Sequence, residues 1–326
     1  MALSSRTVSS SQIVRTVKTT IARLGFPLTR WLVRRLPATA ALRLLTAVFT
    51  PYCSWRPFET VTTTVDGVRM RVRFPDKIQK HIYLFGVWEP AITRFVTSRL
   101  KAGDLFVDIG ANVGYYALLA ARRVGPRGAV VAIEACPSIA RVLRENVALN
   151  GFDNIEIIEH AVADRRKELP LFMGPIDNIG STTTVVGMAT IAEDGPAIRV
   201  NAFPLPDLVC GERLRAARLI KVDVEGAEAD VFDGLRNVLP TFGHRTEWIF
   251  ELAPDALTAQ GRSATEIMTL FRTNGYRLYV VENSYRMEHY VRLPRPTLTE
   301  VTSLPDTRLT LDVIASKHTY ARRSLL

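Results

Sequence analysis

The sequence predicts an α/β fold built on a mostly parallel sheet with helices on both faces. Three observations predict it. From residue 104 onward, apolar strand-like runs alternate with helical ones; the first run, LFVDIG, breaks at Gly110 into the helix-like YYALLAARRV; and a later run, RLIKVDVEGAEADVFDGL at 218–235, breaks in the same way. Short buried strands alternating with helices read as βαβ units. Their right-handed crossovers place a ligand at the carboxyl ends of the strands.

Taken in chain order, the first segment is residues 1–57. The chain carries a net charge of +10, and residues 1–50 hold eight Lys and Arg with no acid, which leaves only +2 for the remainder. That asymmetry argues against a nucleic-acid groove across the body and for a basic N-terminal segment with a partner of its own. Ile13, Val17, Ile21 and Leu24 recur at helical spacing, and Pro27 and Pro37 divide the next stretch into short pieces. No piece is long enough to cross a bilayer, since the best apolar window, Leu36 to Phe49, is interrupted by Arg43. Two readings of the segment compete. It is a cationic amphipathic helix lying on an anionic membrane surface, or a set of helices that cap the core of the body or are partly disordered. An organellar transit peptide is a third, since MALSSRTVSSSQ is Ser-rich and acid-poor.

Residues 58–103 form an entry module. FETVTTTVDGVRMRVRF alternates around Asp66-Gly67 as a β-hairpin does, and WEPAITRFVTSRL at 88–100 has helical periodicity. Residues 104–326 are the main domain, with AVVAIEA and NIEIIEHAV as its second and third strands. A long connection then runs from LPLFMGPIDNIGSTTTVVG to IRVNAFPLPDLV. Connections of that length in a compact domain are usually functional, which makes Asn178, Gly180, Ser181 and Thr182 candidates for covering a substrate pocket. Cys53, Cys136 and Cys210 are scattered without metal or disulfide spacing, and the histidines show no ligand pattern. A reducing, cytoplasmic setting and the absence of a metal site are the expectation.

The glycine turn VDIGANVGYY opens onto the ligand edge. Gly110 and Gly114 let the backbone turn tightly, Asn112 lies between them, and Glu134 ends the next strand where an acid can accept hydrogen bonds from both hydroxyls of a ribose. A nicotinamide dinucleotide fits less well, because Asn112 stands where the dinucleotide fingerprint needs a second glycine. Asp223, Glu225 and Glu228 lie at the same sheet edge in the second motif. Acids at a helix start also satisfy free N–H groups, so a structural role competes with a chemical one there.

These motifs, VDIGANVGYYALLAA, AIEACPSIARVLRENVALNG, the NIGSTT loop and above all IKVDVEGAEADVFDGL, resemble the FkbM-type family of S-adenosylmethionine-dependent methyltransferases over roughly residues 85–255. The resemblance implies S-adenosylmethionine as cofactor and a Rossmann-like, seven-stranded class I methyltransferase sheet. It implies that Asp108, Gly110, Asn112 and Gly114 surround the methionine part, that Glu134 holds the ribose, and that Ala161 and Val162 flank the adenine. Ala135-Cys136 departs from the family's usual residues after that acid. The late strands YRLYVVEN and TRLTLDVIAS would complete the sheet with one antiparallel edge pairing.

Methyl transfer is an in-line displacement in which alignment supplies much of the acceleration, and a hydroxyl acceptor also needs a base. Asp223 is the first candidate, with Glu225 supporting it or binding substrate; Glu251 and His160, at other strand ends, are further candidates. The resemblance implies O-methylation of a sugar, polyketide or glycolipid. The basic N-terminus makes a membrane-associated acceptor attractive, and nucleic acid is disfavoured. The alternatives are a nicotinamide-dependent oxidoreductase and an inactive, cofactor-binding, membrane-associated scaffold.

Overall fold

The computed structural model describes residues 28–33, 35–49, 58–188, 197–292, 297–303 and 310–320. The amphipathic pattern over residues 13–24 and Cys53 therefore lie outside the described residues. Residues 28–33 are helical, as is α1 (Ala38–Leu44), which continues as a π-helical turn to Phe49. Val33, Ala41 and Leu45 are buried, and Arg30 donates to Thr62 Oγ1 at 2.6 Å and to the Thr63 carbonyl at 2.8 Å. This part of the basic segment packs on the body, while Leu28 and Trp31 remain exposed. Among the described residues no helix is long and apolar enough to cross a membrane.

The predicted hairpin forms between β1 (Phe58–Thr63) and β2 (Arg69–Phe74). In β2 the alternation is complete: Met70, Val72 and Phe74 point inward, and Arg69, Arg71 and Arg73 outward. Helix α2 (Lys77–Phe85) comes next, capped by the Asp76 carboxylate, which accepts from the Gln79 N–H at 2.9 Å. Helix α3 (Pro90–Arg99) begins with proline at its first position, where no N–H is needed.

The main sheet has eight strands. β3 (Leu105–Ile109), β4 (Ala129–Ile133) and β5 (Ile155–Ile158) run parallel on one side; β9 (Ala217–Val222) and β10 (Glu247–Leu252) continue in parallel on the other. All five residues of β3 are buried, as expected for a central strand covered on both faces. Helices α4 (Tyr115–Val124) and α5 (Pro137–Asn150) supply the crossovers after β3 and β4. The chain then reverses, so the carboxyl ends of β3 and β9 flank the point where strand order changes direction.

The α/β class is the one the sequence predicts, with three differences in detail. β13 (Leu311–Ser316) is antiparallel but inserts between β10 and β11 (Arg277–Val281), so the antiparallel strand is interior. Its Val313, Ile314 and Ala315 are apolar and buried, which suits an interior place. An eighth strand, β12 (Leu298–Glu300), pairs outside β11. The third predicted strand, NIEIIEHAV, breaks at His160: Ala161–Val162 (β6) leave the main sheet and join β8 (Ile198–Phe203) and β7 (Lys167–Leu171) in a separate three-stranded sheet. The long connection thus carries structure of its own, paired by backbone bonds between segments about thirty residues apart that local periodicity does not reveal.

Candidate functional site

The glycine turn and the second motif are pressed together at the sheet edge. Gly110 adopts φ +82°, and a Cβ there would lie 1.8 Å from the Asp223 carbonyl oxygen, so no side chain fits. The Gly110 and Ala111 N–H groups both donate to the Ile133 carbonyl, at 2.9 and 3.0 Å. Asn112 also has positive φ, +51°; its Oδ1 accepts from the Val113 N–H at 2.7 Å and its own N–H donates to Glu134 Oε2 at 2.8 Å. Glu134 Oε1 accepts from the Cys136 N–H at 2.9 Å. Two backbone donors therefore hold this carboxylate at the cleft wall, and each oxygen keeps acceptor capacity for a hydroxyl. Burial pushes its pKa up to about 7 against the pull of those two bonds.

The second motif places one buried ammonium among several carboxylates. Lys221 Nζ contacts Asp223 Oδ2 at 2.6 Å and sits 5.0 Å from the centre of the Tyr116 ring. Asp108 is its register neighbour on β3 and is 1% exposed; neither carboxylate oxygen has a well-formed hydrogen-bond partner. Burial raises the Asp108 pKa to about 6 despite Lys221. Glu225 lies in a left-handed turn at φ +51°, and burial, then Asp223 and Glu228, push it up to about 8. Glu228 serves the structural role open to a helix-start acid: its Oε1 accepts from the N–H groups of Val224 at 3.1 Å and Gly226 at 3.3 Å.

These elements enclose a cleft of about 930 Å³, part of it open to solvent. Gly110, Asn112 and Glu134 form one side, Lys221, Asp223 and Glu225 another, and His160, Ala161 and Val162 the end beyond β5. Asp108 and Gly114 do not line it. Asp108 lies behind the turn, and Gly114, at φ +94°, makes room for Leu143, whose Cδ1 would be 2.3 Å from a Cβ. His160 packs its ring 4.8 Å from Phe203.

The loop after β7 forms the roof through Ile179, Gly180, Thr182 and Thr184. Asn178 and Ser181, expected there from the sequence, do not line the cleft: Ser181 Oγ donates to the Asn178 carbonyl at 2.9 Å. The roof is tied down by Asp76, whose Oδ2 accepts from the Ile179 N–H at 2.9 Å while Oδ1 caps α2. Sequence reasoning passed over Asp76. Its only local signal was an acid just before a helical run.

Beyond Lys221 lies a second, smaller compartment lined by Glu89, Asp223, Glu251 and Asp312. Glu251 belongs here rather than to the main cleft, and burial followed by Asp223 pushes its pKa up to about 10. Glu89 was also unrecognised. Its carboxylate accepts from Tyr116 OH at 2.7 Å and Tyr285 OH at 2.8 Å, tying α3 to α4 and to the segment after β11. The signal was an acid directly before the proline that starts α3. Asn283 Nδ2 bridges Glu89 and Asp312, at 3.3 and 2.9 Å. Among the described residues no group of three His, Cys, Asp or Glu side chains is arranged to hold a metal ion.

Comparison with known proteins bears on what this cleft holds. Residues 108–278, just over half of the chain, match the family model described as the methyltransferase FkbM domain. The chain is similar to protein-L-isoaspartate O-methyltransferase 1 of Archaeoglobus fulgidus, 36% identical over 59 residues that cover 18% of this chain and 27% of that protein. It is also similar to methyltransferase sdnD of Sordaria araneosa, 28% identical over 165 residues covering 42% and 62%. The chain thus spans less than two thirds of the length of these curated relatives. Among solved structures, it is similar to a SAM-dependent O-methyltransferase from Thermotoga maritima at 15% identity and TM-score 0.40, covering 80% of this chain and 78% of that one.

Proposed function

The chain belongs to the methyltransferase FkbM domain family, whose cofactor is S-adenosylmethionine, and we propose that it methylates a hydroxyl of a sugar, polyketide or glycolipid acceptor. The observation that carries the reading is the convergence of the glycine turn, Glu134 and the Lys221–Asp223–Glu225 group on one cleft. The residues present fit the cofactor. Glu134 has acceptor capacity for two ribose hydroxyls, Ala161 and Val162 offer an apolar wall for adenine, and Gly110 and Asn112 line the cleft where the methionine part would lie. Asp108 and Gly114 shape that turn from behind.

When bound, the cofactor supplies a methyl group made electrophilic by its sulfonium. The protein's task is then alignment and proton removal. Asp223, fixed by Lys221, would orient the acceptor hydroxyl, and Glu225 would take its proton. A base with a pKa near 8 is better matched to a hydroxyl than an ordinary carboxylate. His160 shapes the far end of the cleft, Glu251 lines the neighbouring compartment, and the roof around Thr182, held by Asn178 and Ser181, covers the acceptor.

The proposed setting is cytoplasmic and peripheral to an anionic membrane. The basic residues of 1–50 support it, and it would place a lipid-linked acceptor within reach.

The test is calorimetric titration with S-adenosylhomocysteine beside NAD, followed by transfer of labelled methyl to a panel of hydroxylated and amino acceptors. Binding of the former alone, with label recovered as methyl ether, is the expected outcome. Folded protein that binds neither, or that labels only amines, sinks the reading. For the base, Glu225→Gln should lower kcat by about 10²–10⁴-fold and abolish the rise in rate through pH 8. An unchanged pH profile in that variant moves the role elsewhere.

A further inference from the structure

A second pocket lies at the opposite edge of the main sheet. It is lined by Ser98, Arg99, Lys101, Arg218, Arg245 and His318, with about 600 Å³ of space open to solvent on one side. These residues come from the end of α3, the start of β9, the residues before β10 and the chain just after β13. Arg218 is the second residue of β9 and Asp223 lies five residues on, so a strand rise of about 3.3 Å per residue puts the pocket roughly 16 Å from the catalytic cleft.

The pocket is built rather than incidental. Glu247, fully buried at its base, contacts Arg218 Nη2 at 2.6 Å and Arg99 Nε at 3.7 Å, so one carboxylate holds two guanidinium groups side by side. Arg218 also donates to the Arg245 carbonyl. Arg99 is further fixed over the Tyr320 ring, 4.5 Å from its centre. The charges do not balance: four permanent cations face Glu247 and Asp104, the latter 3.6 Å from Arg245. Among the described residues the Lys101 ammonium has no ion-pair partner. Burial lowers the Arg99 pKa against the pull of Glu247, and Arg218 lowers it further, so an added anion here would favour the charged guanidinium.

We propose that this pocket binds the phosphate group of a ligand, with Arg99 and Arg218 as its fixed floor and Lys101, Arg245 and His318 as its rim. Guanidinium pairs match phosphate oxygens in charge and geometry, and pre-ordered donors lose little entropy on binding. The site goes beyond methyl transfer, because nothing at this edge reaches the cleft. A soluble phosphorylated metabolite and a phospholipid headgroup present the same chemistry.

The experiment uses the full chain and a Lys101→Gln/Arg245→Gln double variant, which leaves the Glu247 pair intact. Inorganic phosphate is titrated calorimetrically at fixed ionic strength, and flotation is measured with phosphatidylcholine vesicles with and without phosphatidylglycerol. Equal melting temperatures and equal S-adenosylhomocysteine affinity certify the fold. Saturable phosphate binding, weakened at least fivefold in the variant, is expected. A parallel fivefold loss on phosphatidylglycerol vesicles identifies a headgroup as the ligand, and a loss confined to phosphate identifies a soluble one. If the double variant binds phosphate and vesicles as well as the wild type, the proposal is overturned, and any vesicle binding belongs to residues 1–50.

Discussion

Glu134 shows how one residue joins turn geometry to ligand chemistry. Its two oxygens are each held by a backbone N–H, from Asn112 and Cys136, so the carboxylate is in place before any ligand arrives. Glu134→Gln keeps the shape but replaces one acceptor oxygen with an NH₂ that must face a backbone donor. We expect S-adenosylhomocysteine affinity to fall by about tenfold or more, equivalent to roughly 1.4 kcal/mol, in a calorimetric titration. Unchanged affinity would remove Glu134 from the ribose site. The residue was legible in the sequence because an acid at the end of the second strand has few other reasons to be there. Glu89 was not, since its importance rests on Tyr116 and Tyr285, which reach it from distant parts of the chain.

At the scale of elements, the roof of the cleft is tied to the start of α2 by a side chain and a backbone bond. Asp76 accepts from Gln79 within its own helix and from Ile179 in the roof, and the Lys77 N–H donates to the Asp177 carbonyl at 2.7 Å beside it. Asp76→Ala leaves two N–H groups without their acceptor, at a cost on the order of 1–3 kcal/mol. Hydrogen exchange should speed up across residues 176–183 and at the start of α2, with S-adenosylhomocysteine affinity little changed. Exchange confined to α2 would show that the roof is held by other contacts. The hairpin, α3 and the first two βα units were readable because their periodicity is local. The sheet of β6, β7 and β8 was not, because β6 has only two residues, β7 and β8 are largely half-exposed or exposed, and the three recognise each other only by pairing.

For the whole molecule, the decisive feature is the imbalance of charge around Lys221. Burial is the first cause raising Glu225 and Asp312 to about 8 and Glu251 to about 10. In the unfolded chain these groups titrate near pH 4, so above that the folded state holds more protons than the unfolded one. Stability is then full below the unfolded values and is lost as pH rises through the folded ones. The melting temperature of the ligand-free protein should fall from pH 6 to pH 9 at constant ionic strength, and Glu251→Gln should flatten the decline. A melting temperature that rises over that range contradicts the charge assignment. By itself the sequence determined the α/β class, the ligand edge, the glycine turn and the motif around Asp223, because each is written in residues that are neighbours along the chain. Only the tertiary structure decided that Glu251 faces a second compartment, that Asp76 holds the roof, and that Arg99 and Arg218 share one buried carboxylate. Those facts depend on which distant segments meet, and burial at the meeting point, more than residue type, sets the charge each group can carry.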